Sequence, residues 1–250
     1  MLLANKTAIV YGASGAIGSA VASAYAREGA DVHLAGRTQS KLEDVADRIR
    51  QDGGTAFVST VDVLDRVAVE DHAAGVAARG GIDVCFNATS NEDIQGTPLL
   101  DMTLDDFVHP VTKAVSAHFN VATAAGRRMT DRGGAILVMA GGREAVPYLG
   151  GAHVAWTALA GLCRQLAAEF GPYGVRVNWL LSPGSPVEND SSYGRDESAF
   201  QVAPPGTTGL LPRHQPSLDE VANIATFAAS DWARTITASE INLTGGAVID

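Results

Sequence analysis

Seven short runs rich in valine and isoleucine punctuate the chain, and longer stretches of helical periodicity lie between most of them. Short runs that are apolar throughout suit strands buried on both faces, and the helical stretches suit crossover connections between parallel strands. The pattern predicts strands near 7–11, 31–35, 55–60, 82–87, 135–139, 175–181 and 239–243. Helices are expected near 16–28, 39–52, 65–79, 104–131, 151–171 and 217–229. The expected fold class is α/β: a doubly wound parallel sheet of about seven strands, with helices on both faces and ligands at the carboxyl ends of the strands.

A length of 250 residues suits one such sheet, and no repeat or low-complexity linker marks a second unit, so residues 1–250 are expected to form one domain. The stretch 182–216 stands apart, being rich in Gly, Pro and Ser with little periodicity; it is expected to be a substrate lid. With 46% apolar and 18% charged residues the chain is not of the disordered class. A formal charge of -10 without any basic run argues against nucleic acid and anionic membrane as partners. The longest apolar runs, such as AILVMA at 135–140, are far shorter than the roughly 20 residues that span a bilayer. The opening MLLANKTAIVYG runs directly into a strand and turn without a charged leader, so no signal peptide and a cytoplasmic location are expected. Cys85 and Cys163 have the spacing of neither a metal site nor a disulfide framework and are expected to be buried thiols, with no metal bound.

The segment YGASGAIG, 11–18, joins the first strand to the first helix. It sets Gly12, Gly15 and Gly18 where a chain must turn sharply and approach a pyrophosphate, with Ser14, Ala16 and Ile17 offering backbone groups at the helix start. Glycines also serve ordinary strand-to-helix turns, but here strand, turn and helix follow in the order a Rossmann-like dinucleotide site needs. After the second strand, Arg37 and Thr38 stand where an NAD site places an acid for the ribose hydroxyls. An arginine there can pair with a 2′-phosphate, which favours NADP over NAD; an exposed surface arginine is the alternative. Asp62 and Val63 end the third strand, within reach of an adenine, although Asp62 could equally cap the following helix.

Taken together, four segments resemble the short-chain dehydrogenase/reductase family along nearly the whole chain. YGASGAIG is similar to its glycine motif, and IDVCFNATS to its strand ending in Asn-Asn-Ala-Gly, which brings in Asn87 and Ala88 as cofactor contacts. GPYGVRVNWLLSPG is similar to its sixth strand and Pro-Gly turn, which adds Pro183 and Gly184, and SLDEVANIATFAASDWARTITASEINLTGG to its carboxyl-terminal pattern. The resemblance implies a nicotinamide-dependent oxidoreductase acting on a small organic substrate. Such enzymes use an Asn, Ser, Tyr and Lys set, in which Tyr is the general acid or base and the Lys ammonium lowers its pKa.

Counted without gaps from the matched segments, those four positions fall on Ala114, Gly141, Ala152 and Trp156. None of these side chains exchanges protons there, so the usual mechanism is expected to be absent. Ala152 and Trp156 lie one turn apart on one face, as in a rebuilt pocket floor. The second Asn of the strand motif is Ala88, its glycine is Ser90, and the Thr expected near the carboxamide is Glu188. Weak substitutes are Tyr148, if the helix begins near Pro147, and His153, which points about 100° away from Ala152. Arg143 and Glu144, Ser90, Asn91 and Glu92 sit at strand carboxyl ends, and Asn189 and Tyr193 in the lid, as candidate substrate contacts. Three functions stay open: an NADP(H)-linked oxidoreductase with another proton source, a non-redox dehydratase, isomerase or cyclase, or a silent subunit or sensor. The resemblance also implies a homo-oligomer through helices 104–131 and 151–171, with pairing to an active relative as an alternative.

Overall fold

The structure is a computed structural model that describes residues 1–142, 145–182, 216–246 and 248. Seven strands form one parallel sheet: β1 (Thr7–Tyr11), β2 (Asp31–Gly36), β3 (Thr55–Thr60), β4 (Val84–Asn87), β5 (Gly134–Ala140), β6 (Val175–Leu181) and β7 (Glu240–Asn242), in the order β3-β2-β1-β4-β5-β6-β7. The helices are α1 (Ala16–Arg27), α2 (Gln39–Gln51), α3 (Arg66–Ala77), α4 (Leu104–Met129), α5 (Ala152–Phe170) and α6 (Leu218–Ala229). Each lies within a few residues of its expected position. The expected lid, with Pro183, Gly184, Glu188, Asn189 and Tyr193, lies outside the described residues apart from its end residues Ser182 and Pro216, as do Arg143 and Glu144.

Strand alternation divides the core in two. Ile9, Tyr11, Cys85, Ile136, Val138 and Val177 face α3, α4 and α5, whereas Val10, Leu34, Phe86, Leu137 and Leu180 face α1, α2 and α6. That is why the central strands β1, β4 and β5 read as nearly unbroken apolar runs rather than as apolar and polar alternation. Helix ends are written in polar residues. Asp65 accepts from the Val67 and Ala68 amides at the start of α3, Thr103 from Asp106 at the start of α4, and Ser217 and Glu220 form a reciprocal capping box on α6. Both cysteines are buried free thiols, and burial pushes each up to about 12, so neither is a thiolate near neutral pH. Among the described residues no helix is long and apolar enough to cross a membrane, and no group of three or more His, Cys, Asp or Glu is placed to hold a metal ion.

Two positions in this core carry testable costs. His118 is buried in α4, and its Nδ1 bonds the Ala114 carbonyl at 2.8 Å. Burial pushes its pKa down to about 4. The folded chain therefore holds His118 neutral where the unfolded chain, with a histidine near about 6.5, takes up a proton. Its stabilising contribution is complete above about pH 6.5 and is lost as pH falls toward about 4, on the order of 3 kcal/mol. Denaturant titrations across that range should show the decline, and His118→Asn should flatten it. Ala238 sits at φ 56°, a left-handed conformation that a Cβ disfavours, so Ala238→Gly should stabilise the chain by about 1 kcal/mol in the same assay.

Candidate functional site

The carboxyl ends of β1, β2, β4 and β5 open onto one edge of the sheet. At the end of β1, Gly12 takes φ 74°, and a Cβ there would lie 2.8 Å from the carbonyl carbon of Ala88. The turn after β1 thus presses on the backbone after β4, an approach only glycine permits. Gly15 caps α1 with no side-chain hydrogen bond, so among the described residues the opening amides of the helix, over Ala16, Ile17 and Gly18, receive no side-chain cap. Helix starts leave such donors free for an anion. Half-buried Ser14 lies in the same turn.

Asn87 closes β4 with 1% exposure. Its Oδ1 accepts from the Thr89 amide and hydroxyl at 3.0 and 2.8 Å, while its buried Nδ2 has no partner among the described residues. A buried donor left unpaired is costly, and here it stands beside the glycine turn. The residues present therefore fit a dinucleotide: a helix start whose N-cap makes no side-chain hydrogen bond, a glycine turn packed on the backbone after β4, and a buried Asn87 donor without a partner among the described residues.

Arg37 and Thr38 follow β2, and Thr38 stands at the start of α2 without a side-chain capping bond. Arg37 Nη2 reaches Glu92 Oε1 at 3.0 Å. The same carboxylate pairs with the Lys113 ammonium, and His109 Nε2 lies 3.8 Å from Glu92 Oε2. Lys113 is only 8% exposed although it is charged. The Lys113 hydrogen bond, followed by the contributions of Arg37, holds the Glu92 carboxyl below the ordinary carboxylate range despite the opposing effect of burial. Glu92 itself has φ 56°, and its amide donates to Ser90 Oγ at 3.1 Å; Asn91 lies between them.

Asp62 does not cap α3: Asp65 does, while Asp62 Oδ1 accepts from the Leu64 amide at 3.0 Å. The Val63 carbonyl accepts from Asn120 Nδ2 of α4 at 3.0 Å.

On the other side of the opening, Ala114 and Ala152 are buried. Trp156, one turn beyond Ala152 on α5, packs against Gly141, and a Cβ built on Gly141 would clash with the indole. The glycine and the tryptophan are therefore one packing unit. A cavity of about 400 Å³ adjoins it, lined in part by Gly142, Arg164 and Trp179. A cavity of about 490 Å³, by His33, Phe57 and His72 near the β3 edge, touches none of the residues expected in the site.

Tyr148 is not on α5. The helix begins at Ala152, and Tyr148 occupies the preceding turn at φ 69°, 57% exposed. The turn signal of Gly150 prevails over the helical spacing. His153 is half-buried on α5, with Nδ1 unpartnered among the described residues. Sequence reasoning singled out Glu92 but missed Lys113 and His109. The available signal was a lysine beside Ala114 and Ala117 on the apolar face of α4.

A family model described as enoyl-(acyl carrier protein) reductase matches residues 12–248. The chain is 31% identical over 259 residues to D-threitol dehydrogenase of Mycolicibacterium smegmatis, covering 99% of this chain and 94% of that one. It is 32% identical over 267 residues to L-rhamnose 1-dehydrogenase (NAD(P)(+)) of Azotobacter vinelandii, covering 100% and 99%. A crystal structure from Beutenbergia cavernae, assigned as an NAD(P)-dependent gluconate 5-dehydrogenase with NADP at low occupancy, superposes with a TM-score of 0.84 at 28% identity, covering 98% of this chain and 97% of that one. The chain belongs to the short-chain dehydrogenase/reductase family, and by homology it is an oxidoreductase of that family.

The contact between Gly141 and Trp156 can be measured directly. Gly141→Ala should destabilise the chain by about 1–3 kcal/mol. In a Trp156→Ala background most of that cost should vanish, leaving a coupling energy above about 1 kcal/mol in a denaturant double-mutant cycle.

Proposed function

We propose that this chain binds NADP(H) and a small organic substrate and acts as an oxidoreductase that handles protons without the Asn, Ser, Tyr and Lys set. The observation that carries the cofactor reading is the cradle itself: Gly12 against Ala88, the uncapped start of α1, and the unspent Nδ2 of Asn87. The Gly12–Gly18 turn would hold the pyrophosphate. Asp62 and Val63 would flank the adenine, Arg37 and Thr38 would take the 2′-phosphate, and Asn87 and Ala88 would lie on the nicotinamide side, completed by Pro183 and Gly184. The bound cofactor supplies or accepts a hydride.

The substrate half contributes shape rather than proton exchange. Ala152 and Ala114 carry no ionisable group, and the Trp156 indole takes the space that a side chain at residue 141 would need. The proton that accompanies the hydride is then exchanged with solvent, taken up when a carbonyl is reduced and released when an alcohol is oxidised. The names of the relatives from Mycolicibacterium and Azotobacter, a threitol and a rhamnose dehydrogenase, support a small polyhydroxylated substrate, and the NADP in the Beutenbergia structure supports the cofactor choice. Exposed Leu104, Val108 and Val154 on α4 and α5 support a homo-oligomer through those helices. The packing of Trp156 on Gly141 also favours a second reading, in which the scaffold serves a non-redox enzyme or a silent subunit.

Calorimetric titration with NADPH and with NADH separates these readings. NADPH should bind at least about tenfold more tightly than NADH, and Arg37→Ala should erase most of that preference, as expected for a charge-assisted hydrogen bond worth about 1.5–3 kcal/mol. Failure of both nucleotides to bind would overturn the oxidoreductase reading and leave the second.

A further inference from the structure

We propose that Glu92 is an internal stand-in for the 2′-phosphate of NADP(H), occupying the cationic site until the cofactor displaces it. The inference rests on the NADP(H) reading above and adds to it a residue that regulates entry. In the sheet, β1 lies between β2 and β4. Arg37 directly follows β2 and Glu92 lies five residues beyond the end of β4, so their ion pair at 3.0 Å passes across the carboxyl end of β1, where the Gly12–Gly18 turn begins. A dinucleotide laid along that turn with its adenosine toward β2 meets this bridge.

The carboxylate is surrounded as a phosphate would be. Arg37 approaches from β2, while Lys113 and His109, one turn apart on α4, approach from the opposite side. Lys113 is almost wholly buried, so it needs an anion in both the empty and the occupied state. Glu92 supplies one charge. A phosphate monoester supplies up to two, and more acceptor oxygens. The backbone at Glu92 is held at φ 56°, an uncommon conformation for a residue with a side chain, and its amide is fastened to Ser90 Oγ. A carboxylate held in a disfavoured backbone conformation across a ligand path suits a contact made to be broken.

The bridge lowers apparent NADP affinity by the fraction of molecules in which Arg37 and Lys113 are free. NAD carries no 2′-phosphate, neither competes for the two cations nor gains from their release, and is largely indifferent to Glu92.

The full chain and its Glu92→Gln, Glu92→Gly and Arg37→Ala variants would be titrated with NADP+ and with NAD+ by calorimetry, with folding checked by thermal melts. Glu92→Gln keeps a hydrogen-bond acceptor for Lys113, and Glu92→Gly relieves the positive φ, so the two remove the charge with opposite risks to the loop. Both should tighten NADP+ binding by at least about tenfold and change NAD+ binding by less than about threefold. Unchanged or weaker NADP+ binding in both variants, with Arg37→Ala still erasing the preference for NADP+, would overturn the role of Glu92 alone. An Arg37→Ala variant that keeps the parent preference, or an absence of binding by either nucleotide to every variant, would overturn the NADP(H) reading and the Glu92 inference with it.

Discussion

Parallel strands cannot be joined by a tight turn, and that constraint shapes the rest of this molecule. Each strand must be followed by a crossover that returns the chain to the opposite end of the sheet, so all seven strands deliver their carboxyl ends to one edge. The chain winds outward from β1 through β2 to β3, then restarts at β4 and winds the other way. The two windings part between β1 and β4, and the loops diverge there. Gly12, Asn87, Arg37 and Glu92 are distant in sequence, yet the winding alone assembles them.

Once that opening exists, its two sides have been filled by different physics. On the side of β1, β2 and β4, groups capable of polar contact are left unspent or are held by charge. On the side of β5 and α5, Gly141, Ala152 and Trp156 bring no charged group. The indole of Trp156 needs the space a side chain at residue 141 would take, and Gly141 gives it. A serine at 141 with Trp156 in place would clash. A lysine at 156 above Gly141 would leave the α-carbon uncovered. Gly141 and Trp156 therefore make structural sense only together.

Most of the fold was legible because both periodicities were strong. Central strands covered on both faces stay largely apolar, and helices keep an apolar stripe, so β1 begins and ends at its expected residues and α1 and α2 stop only one residue short of theirs. Local chemistry was legible too: Gly12 is where the turn had to be, and Asp65 and Ser217 stand where helices begin. What could not be read were pairings between residues far apart in sequence. Nothing in the spacing of Glu92 and Lys113, or of Gly141 and Trp156, says that they touch, because contact depends on where the crossovers set each loop. At Tyr148 two local signals competed: its helical spacing from Ala152 and the turn signal of Gly150 and Gly151. Positive φ at both Tyr148 and Gly150 shows that the turn prevails before the helix starts.

Lys113 ties the charged side of the opening to the fold. A lysine on the apolar face of α4, next to Ala114 and in line with Ala117, would ordinarily be replaced by a residue without charge, because burying an ammonium costs several kcal/mol unless an anion accompanies it. Retaining it obliges the structure to keep a negative group within reach whatever else occupies the cleft. Glu92 meets that need from a segment with no regular secondary structure rather than from a neighbouring helix. A buried cation whose counterion sits outside the regular elements is matched to an exchange of one anion for another, since the desolvation of Lys113 has already been met by the fold and an incoming anion need only replace the partner.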